Sequence, residues 1–71
     1  MAIEFVVQRL QLGDVILLDL PEQGGEVEAT VARHPERTVA TVRAALRVVG
    51  REDFVVKEWP LGELVTVVRG P

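Results

Sequence analysis

The chain has no cysteine, serine, asparagine or tyrosine, and only one histidine, one lysine and three aromatic residues, Phe5, Phe54 and Trp59. Each gap closes off chemistry. Without cysteine there is no disulfide framework, no zinc–thiolate site and no thiol nucleophile, and nothing points to an oxidising compartment. With His34 as the single imidazole and no serine, neither a Ser–His nor a Cys–His pair can be assembled. The longest apolar runs are a few residues, far short of the roughly 20 that cross a bilayer, and no signal peptide is apparent. The expectation is a soluble, cytoplasmic, non-enzymatic chain with no metal, no cofactor and no membrane association.

What is present suits a small β domain. Seventy-one residues make one domain, expected over 1–71, and 48% hydrophobic content is enough for a compact core. A chain this short buries only about 60% of its unfolded surface. Net charge is −3, with acids and arginines interspersed. That balance disfavours a nucleic-acid partner, because such surfaces concentrate positive charge on one face.

The chain is organised around residues 26–49. In 26–33, Val27, Ala29 and Val31 alternate with Glu28, Thr30 and Ala32. In 38–49, Ala40, Val42, Ala44, Leu46 and Val48 alternate with Thr41, Arg43, Ala45 and Arg47. Period two with one apolar face is the half-buried strand pattern. A turn at His34-Pro35-Glu36-Arg37 would set Val31 opposite Ala40, Ala29 opposite Val42, and Glu28 opposite Arg43. A helix over 35–49 competes, with Pro35 at its start and Gly50 as its stop. Six β-branched residues, at 38, 39, 41, 42, 48 and 49, weigh toward strand.

The flanks read as further strands. Residues 2–10 are apolar on both parities and predict a strand covered on both sides. Gly13-Asp14 marks a turn, with Asp14 bonding its own backbone. Residues 15–20 form a second two-sided apolar strand, and 21–25 a loop. Residues 53–59 continue the meander after a turn at 50–52. That register puts Phe54 and Val56 inside, and Trp59 outside opposite Arg43. Pro60-Leu61-Gly62-Glu63 is a corner, and 64–69 the last strand.

Three stretches carry a resemblance: Leu10, then Leu12-Gly13-Asp14-Val15-Ile16; Gly25-Glu26-Val27; and Trp59-Pro60-Leu61-Gly62-Glu63-Leu64-Val65. Together they resemble the SH3-like small β-barrels of the KOW and Tudor type. The resemblance implies an all-β fold, a five- to six-stranded antiparallel meander with a short 3-10 turn before the last strand. The barrel would span 11–71, with 1–10 as an extra N-terminal strand outside the five-strand pattern, expected to pair at the edge or to serve in assembly. Two departures stand out: the basic face of the family's nucleic-acid members is missing, and a Tudor-type cage needs more aromatics than this chain has.

Candidate chemistry is thin. His34 lacks partner ligands, the Glu22, Glu26 and Glu28 group lacks calcium-loop spacing, and Gln23-Gly24-Gly25 is not followed by the Lys-Ser/Thr of a phosphate loop. Two signals remain. Arg43 over the Trp59 indole would form a cation–π pair of the kind that anchors interfaces. Val6, Val15, Leu17, Val49, Val55, Leu64 and Val68 add an apolar set on the parity opposite the core, more than monomers normally expose. The expectation is a homo-oligomer or a protein partner, met by Trp59, Arg43, Arg47, Lys57, Val15 and Leu17. The alternative is a KOW- or Tudor-like nucleic-acid-, ribosome- or polymerase-associated factor, with Arg33, Arg37, Arg43, Arg47 and Arg51 as phosphate contacts.

Overall fold

The computed structural model describes residues 2–71; Met1, the first residue of the expected N-terminal segment, lies outside them. Its strands are β1 (Ile3–Val6), β2 (Val15–Leu20), β3 (Gly25–Val31), β4 (Glu36–Arg37), β5 (Thr41–Val48), β6 (Val55–Pro60) and β7 (Leu64–Arg69). All pairings are antiparallel, and the order across the sheet is β1-β7-β2-β3-β5. β3 and β4 share one edge of β5, and β6 takes the other. The sheet curls into a half-barrel with no α-helix among the described residues. The radius of gyration, 11.3 Å, is that of a compact chain of this length.

The core lies on the concave face. Ile16 and Leu18 of β2, Ala29 and Val31 of β3, and Val42, Ala44, Leu46 and Val48 of β5 are buried there together. Trp59 of β6, Val65 and Val67 of β7, and Val7 and Leu10 complete it. Ala29 and Ala44 supply the small side chains that let a tightly curled sheet fill its interior.

The central strands form, and no helix occupies 35–49. Their register differs from the expected one. Val31 stands opposite Leu46, not Ala40, and Ala29 opposite Val48, not Val42. The shift is an even number of residues, so Val42, Ala44, Leu46 and Val48 still point inward, while Ala40 is left exposed in the turn. Its cause is a reversal further along the chain. The Thr38 hydroxyl accepts from the N–H groups of Ala40 (3.1 Å) and Thr41 (2.9 Å), and the Thr38 N–H donates to the Thr41 carbonyl. The turn therefore closes at 38–41, leaving Val39 99% exposed at its tip.

Between β3 and β4 the ladder bulges. The Ala32 N–H donates to the Ala45 carbonyl, and pairing resumes at Glu36 opposite Arg43. Arg33, His34 and Pro35 thus stand against Ala44 alone. Pro35 has no N–H to give to a ladder, so the chain detours around it.

The β5–β6 register is shifted by one residue, which exchanges faces. Arg43 faces Glu58, and Trp59 faces Val42. Trp59, expected outside, is buried at 7% exposure, whereas Phe54 and Val56, expected inside, are 37% and 55% exposed. The turn is the cause. Gly50 takes φ +88° and the Arg51 N–H donates to the Val48 carbonyl, so Val49 leaves the sheet before the chain returns at Val55.

Two further expectations are corrected. The N-terminal strand pairs at the sheet edge beside β7, one of the two roles expected for it, but it is short and not covered on both sides, with Ile3 exposed; residues 7–9 turn into a 3-10 helix. No 3-10 turn precedes the last strand. Pro60–Glu63 is instead a turn in which the Glu63 N–H donates to the Pro60 carbonyl and Gly62 takes φ +87°. The 3-10 turns lie at Val7–Arg9 and Pro21–Gln23.

The corner before β7 is tied down from both sides. The Leu61 N–H donates to the Ala40 carbonyl, the Gly62 N–H to the Gln8 Oε1 (2.8 Å), and the Val7 N–H to the Glu63 carbonyl. Asp14 forms the expected local turn. Its Oδ2 accepts from the Gln11 N–H at 2.9 Å while its own N–H donates to the Gln11 carbonyl.

Candidate interaction surface

The expected Arg43–Trp59 row does not assemble, because the β6 shift turns the indole inward. Another arginine–aromatic cluster takes its place on the convex face. Arg33, delivered by the bulge, and Arg47, from β5, both lie over the ring of Phe54, their guanidinium carbons 5.3 and 5.0 Å from its centre. Guanidinium over an aromatic face is attractive through the ring quadrupole. Beside this pair, Arg33, His34, Glu36, Arg43, Ala45 and Val56 line a shallow depression of about 300 Å³.

Arg33 and Arg47 have no carboxylate within ion-pair distance among the described residues, whereas Arg43 stands between Glu36 and Glu58 on its two neighbouring strands. Among the described residues the ion pairs are Arg51–Glu22 (3.5 Å) and Arg69–Glu28 (3.4 Å), both exposed. Glu28 is therefore engaged with Arg69 and not with Arg43. Of the five arginines expected to gather, Arg33, Arg43 and Arg47 share one face. Arg51 is held by Glu22, and Arg37 occupies the alternate position to Glu36 in β4.

On the other flank of β6 the sheet opens. β2 and β7 pair at Val15–Arg69 and Ile16–Val67, with a register shift between them, and carry no ladder beyond. The gap is a cleft of about 310 Å³ with Leu18 and Trp59 toward its floor. Asp19, Glu26, Glu58 and Glu63 stand around it, with Lys57 as its single basic residue. Asp19 and Glu26 sit directly opposite each other in the β2–β3 ladder. Like charges in that position are destabilising.

The other expected partner residues are distributed as follows. Leu17 is half-buried beside the cleft and Lys57 is exposed in it. Val15 is buried, outside the main core cluster. Arg43 and Arg47 are exposed on the convex face. Sequence reasoning missed Phe54 as a surface residue. The signal for it was local: Phe54 follows Gly50-Arg51-Glu52-Asp53, a run polar enough to hold a wide loop. Among the described residues no group of three His, Cys, Asp or Glu is placed to hold a metal ion, and no helix is long and apolar enough to cross a membrane. Comparison of the chain with family models, with curated proteins and with solved structures found no match.

Proposed function

We propose that this chain is a non-enzymatic SH3-like β-barrel module that works by association, with another copy of itself or with a protein partner, through the flank of the sheet built by β5 and β6. The observation that carries the reading is β6 itself. It is bonded to β5 on one side only, and it sets Val56 (55% exposed) beside the exposed ring of Phe54. An apolar strand with a free edge is a template for another chain. The barrel assignment is supported by the β7-β2-β3-β5-β6 order, the meander that the family resemblance implies. Fold alone carries no function, so the association reading rests on the surface. It is tested by fluorescence anisotropy of labelled chain titrated with unlabelled chain and with candidate protein partners. Binding weakened by Val56→Glu supports the reading; binding indifferent to Val56→Glu and Phe54→Ala moves the contact elsewhere.

One observation favours a second reading, a nucleic-acid-associated factor. Arg33, Arg43 and Arg47 share a face with an exposed aromatic ring on which a base could stack. Net charge −3 and the diversion of Arg51 to Glu22 weigh against it. A salt-dependent mobility shift of labelled RNA tests it, and no shift at low salt ends it.

A further inference from the structure

We infer that the partner of the arginine-rich convex face is a second copy of this chain, which presents its acidic β2–β6–β7 cleft to the Arg33–Phe54–Arg47 cluster. The inference rests on the association reading and names its partner.

Each surface carries charges that find no opposite partner within one molecule. Arg33 and Arg47 are drawn onto one ring although two guanidiniums repel each other, and neither has a carboxylate within ion-pair distance among the described residues. Arg43 lies beside them, with Glu36 and Glu58 opposite it in the ladder, so the unpaired charge on this face is that of Arg33 and Arg47. The bulge at Arg33–Pro35 brings Arg33 there, and a bulge is the device by which a strand re-aims a side chain. On the cleft, Asp19 directly opposes Glu26, and Glu63 adds to the negative charge against Lys57; Glu58, at the rim, stands opposite Arg43. One face gathers cations and the other anions, each at a cost that the opposite charge on a neighbour would relieve.

The apolar content matches as well. Phe54 and Val56 are exposed within the basic face, and Leu64 and part of Leu17 at the cleft. An apolar centre with a charged surround is the make-up of a protein interface. A nucleic-acid backbone would meet the arginines but would leave the acidic cleft without a role. An unrelated acidic protein would meet one face only. A second copy accounts for both.

Because two different surfaces meet, the contact is head-to-tail, and such contacts propagate until a ring closes. Association should therefore pass beyond a dimer. It should also weaken as salt rises from low ionic strength to about 0.5 M, where charges more than a few ångströms apart are screened.

The test uses two charge-reversed forms of the whole chain, Arg33→Glu/Arg47→Glu and Asp19→Arg/Glu26→Arg. The altered residues are exposed in the wild type, and circular dichroism confirms that each form is folded. If one is not, Arg33→Gln/Arg47→Gln or Asp19→Asn/Glu26→Gln replaces it and is read for weakened association. By light scattering at low salt, each reversed form alone should fall to monomer mass where the wild type is larger. An equimolar mixture of the two should regain mass, because each then meets the opposite charge on the other. Wild-type assemblies indifferent to both reversals would overturn this inference and leave the association reading intact. A wild type that stays monomeric at all concentrations would overturn the inference together with self-association. A monomeric wild type that shifts labelled oligonucleotide, with the shift lost in Arg33→Glu/Arg47→Glu, would assign the face to phosphate instead.

Discussion

At the scale of single residues, burial has exchanged the roles of two aromatics. Trp59 is a core residue opposite Val42, so Trp59→Ala removes a large buried side chain and should cost about 3–5 kcal/mol, enough to threaten a domain of this size. Phe54→Ala loses the stacking of two guanidiniums on a half-exposed ring, about 1–2 kcal/mol in all. Chemical denaturation of the two variants should rank them in that order; the reverse ranking would mean that Trp59 is the surface residue. Asp14 is the one buried polar or charged residue among the described residues, at 4% exposure. Asp14→Ala removes the acceptor of the Gln11 N–H and should cost about 0.5–1.5 kcal/mol, since Gln11 is exposed and water can take the acceptor's place. Asp14→Asn keeps an acceptor and should recover most of that loss.

At the scale of elements, alternation in the sequence located the strands better than it paired them. β2 and β7 were legible to the residue, as Val15–Leu20 and Leu64–Arg69. The inward face of β5 was legible too, because Val42, Ala44, Leu46 and Val48 keep their parity under any even shift. What alternation cannot encode is where a turn closes. The Thr38 hydroxyl moved one reversal past Pro35, and the Gly50 turn moved the other by a single residue. That single step inverted Phe54, Val56 and Trp59, and with them the candidate site. Arg43 and Arg47 were legible as surface residues. The role of Arg33 was not, because it depends on a bulge that lifts it toward a ring distant in sequence.

Two predictions belong at this scale. Thr38→Ala removes the acceptor that closes the β4–β5 turn and should cost about 0.5–1.5 kcal/mol, read from the denaturation midpoint. An unchanged midpoint would mean that the turn closes without its side chain. Val56→Glu places a negative charge on the exposed face of the β6 edge, among the arginines. It should alter stability by no more than about 0.5 kcal/mol while weakening association, since a charged side chain on an edge strand blocks strand addition and this one would repel an acidic partner surface. A large loss of stability would show that Val56 is buried in the monomer.

For the whole molecule, the fold stands on its concave core and very little on surface ion pairs. Arg51–Glu22 and Arg69–Glu28 are both exposed, and such pairs contribute about 0–1 kcal/mol. Adding sodium chloride should therefore leave the melting temperature nearly unchanged while it lowers the association constant. A parallel fall of both would tie folding to assembly. The charge that matters lies between molecules in this account: a basic convex face and an acidic cleft, on opposite flanks of β6, in a chain whose net charge of −3 conceals both.

The most direct measurement is the solution mass of the unmodified chain by light scattering, from micromolar to millimolar concentration at low salt. A mass that climbs with concentration beyond that of a single 7.8 kDa chain, and falls when salt is added, is the predicted result. A mass fixed at one chain across the whole range would contradict self-association and leave the β5–β6 flank to a different partner.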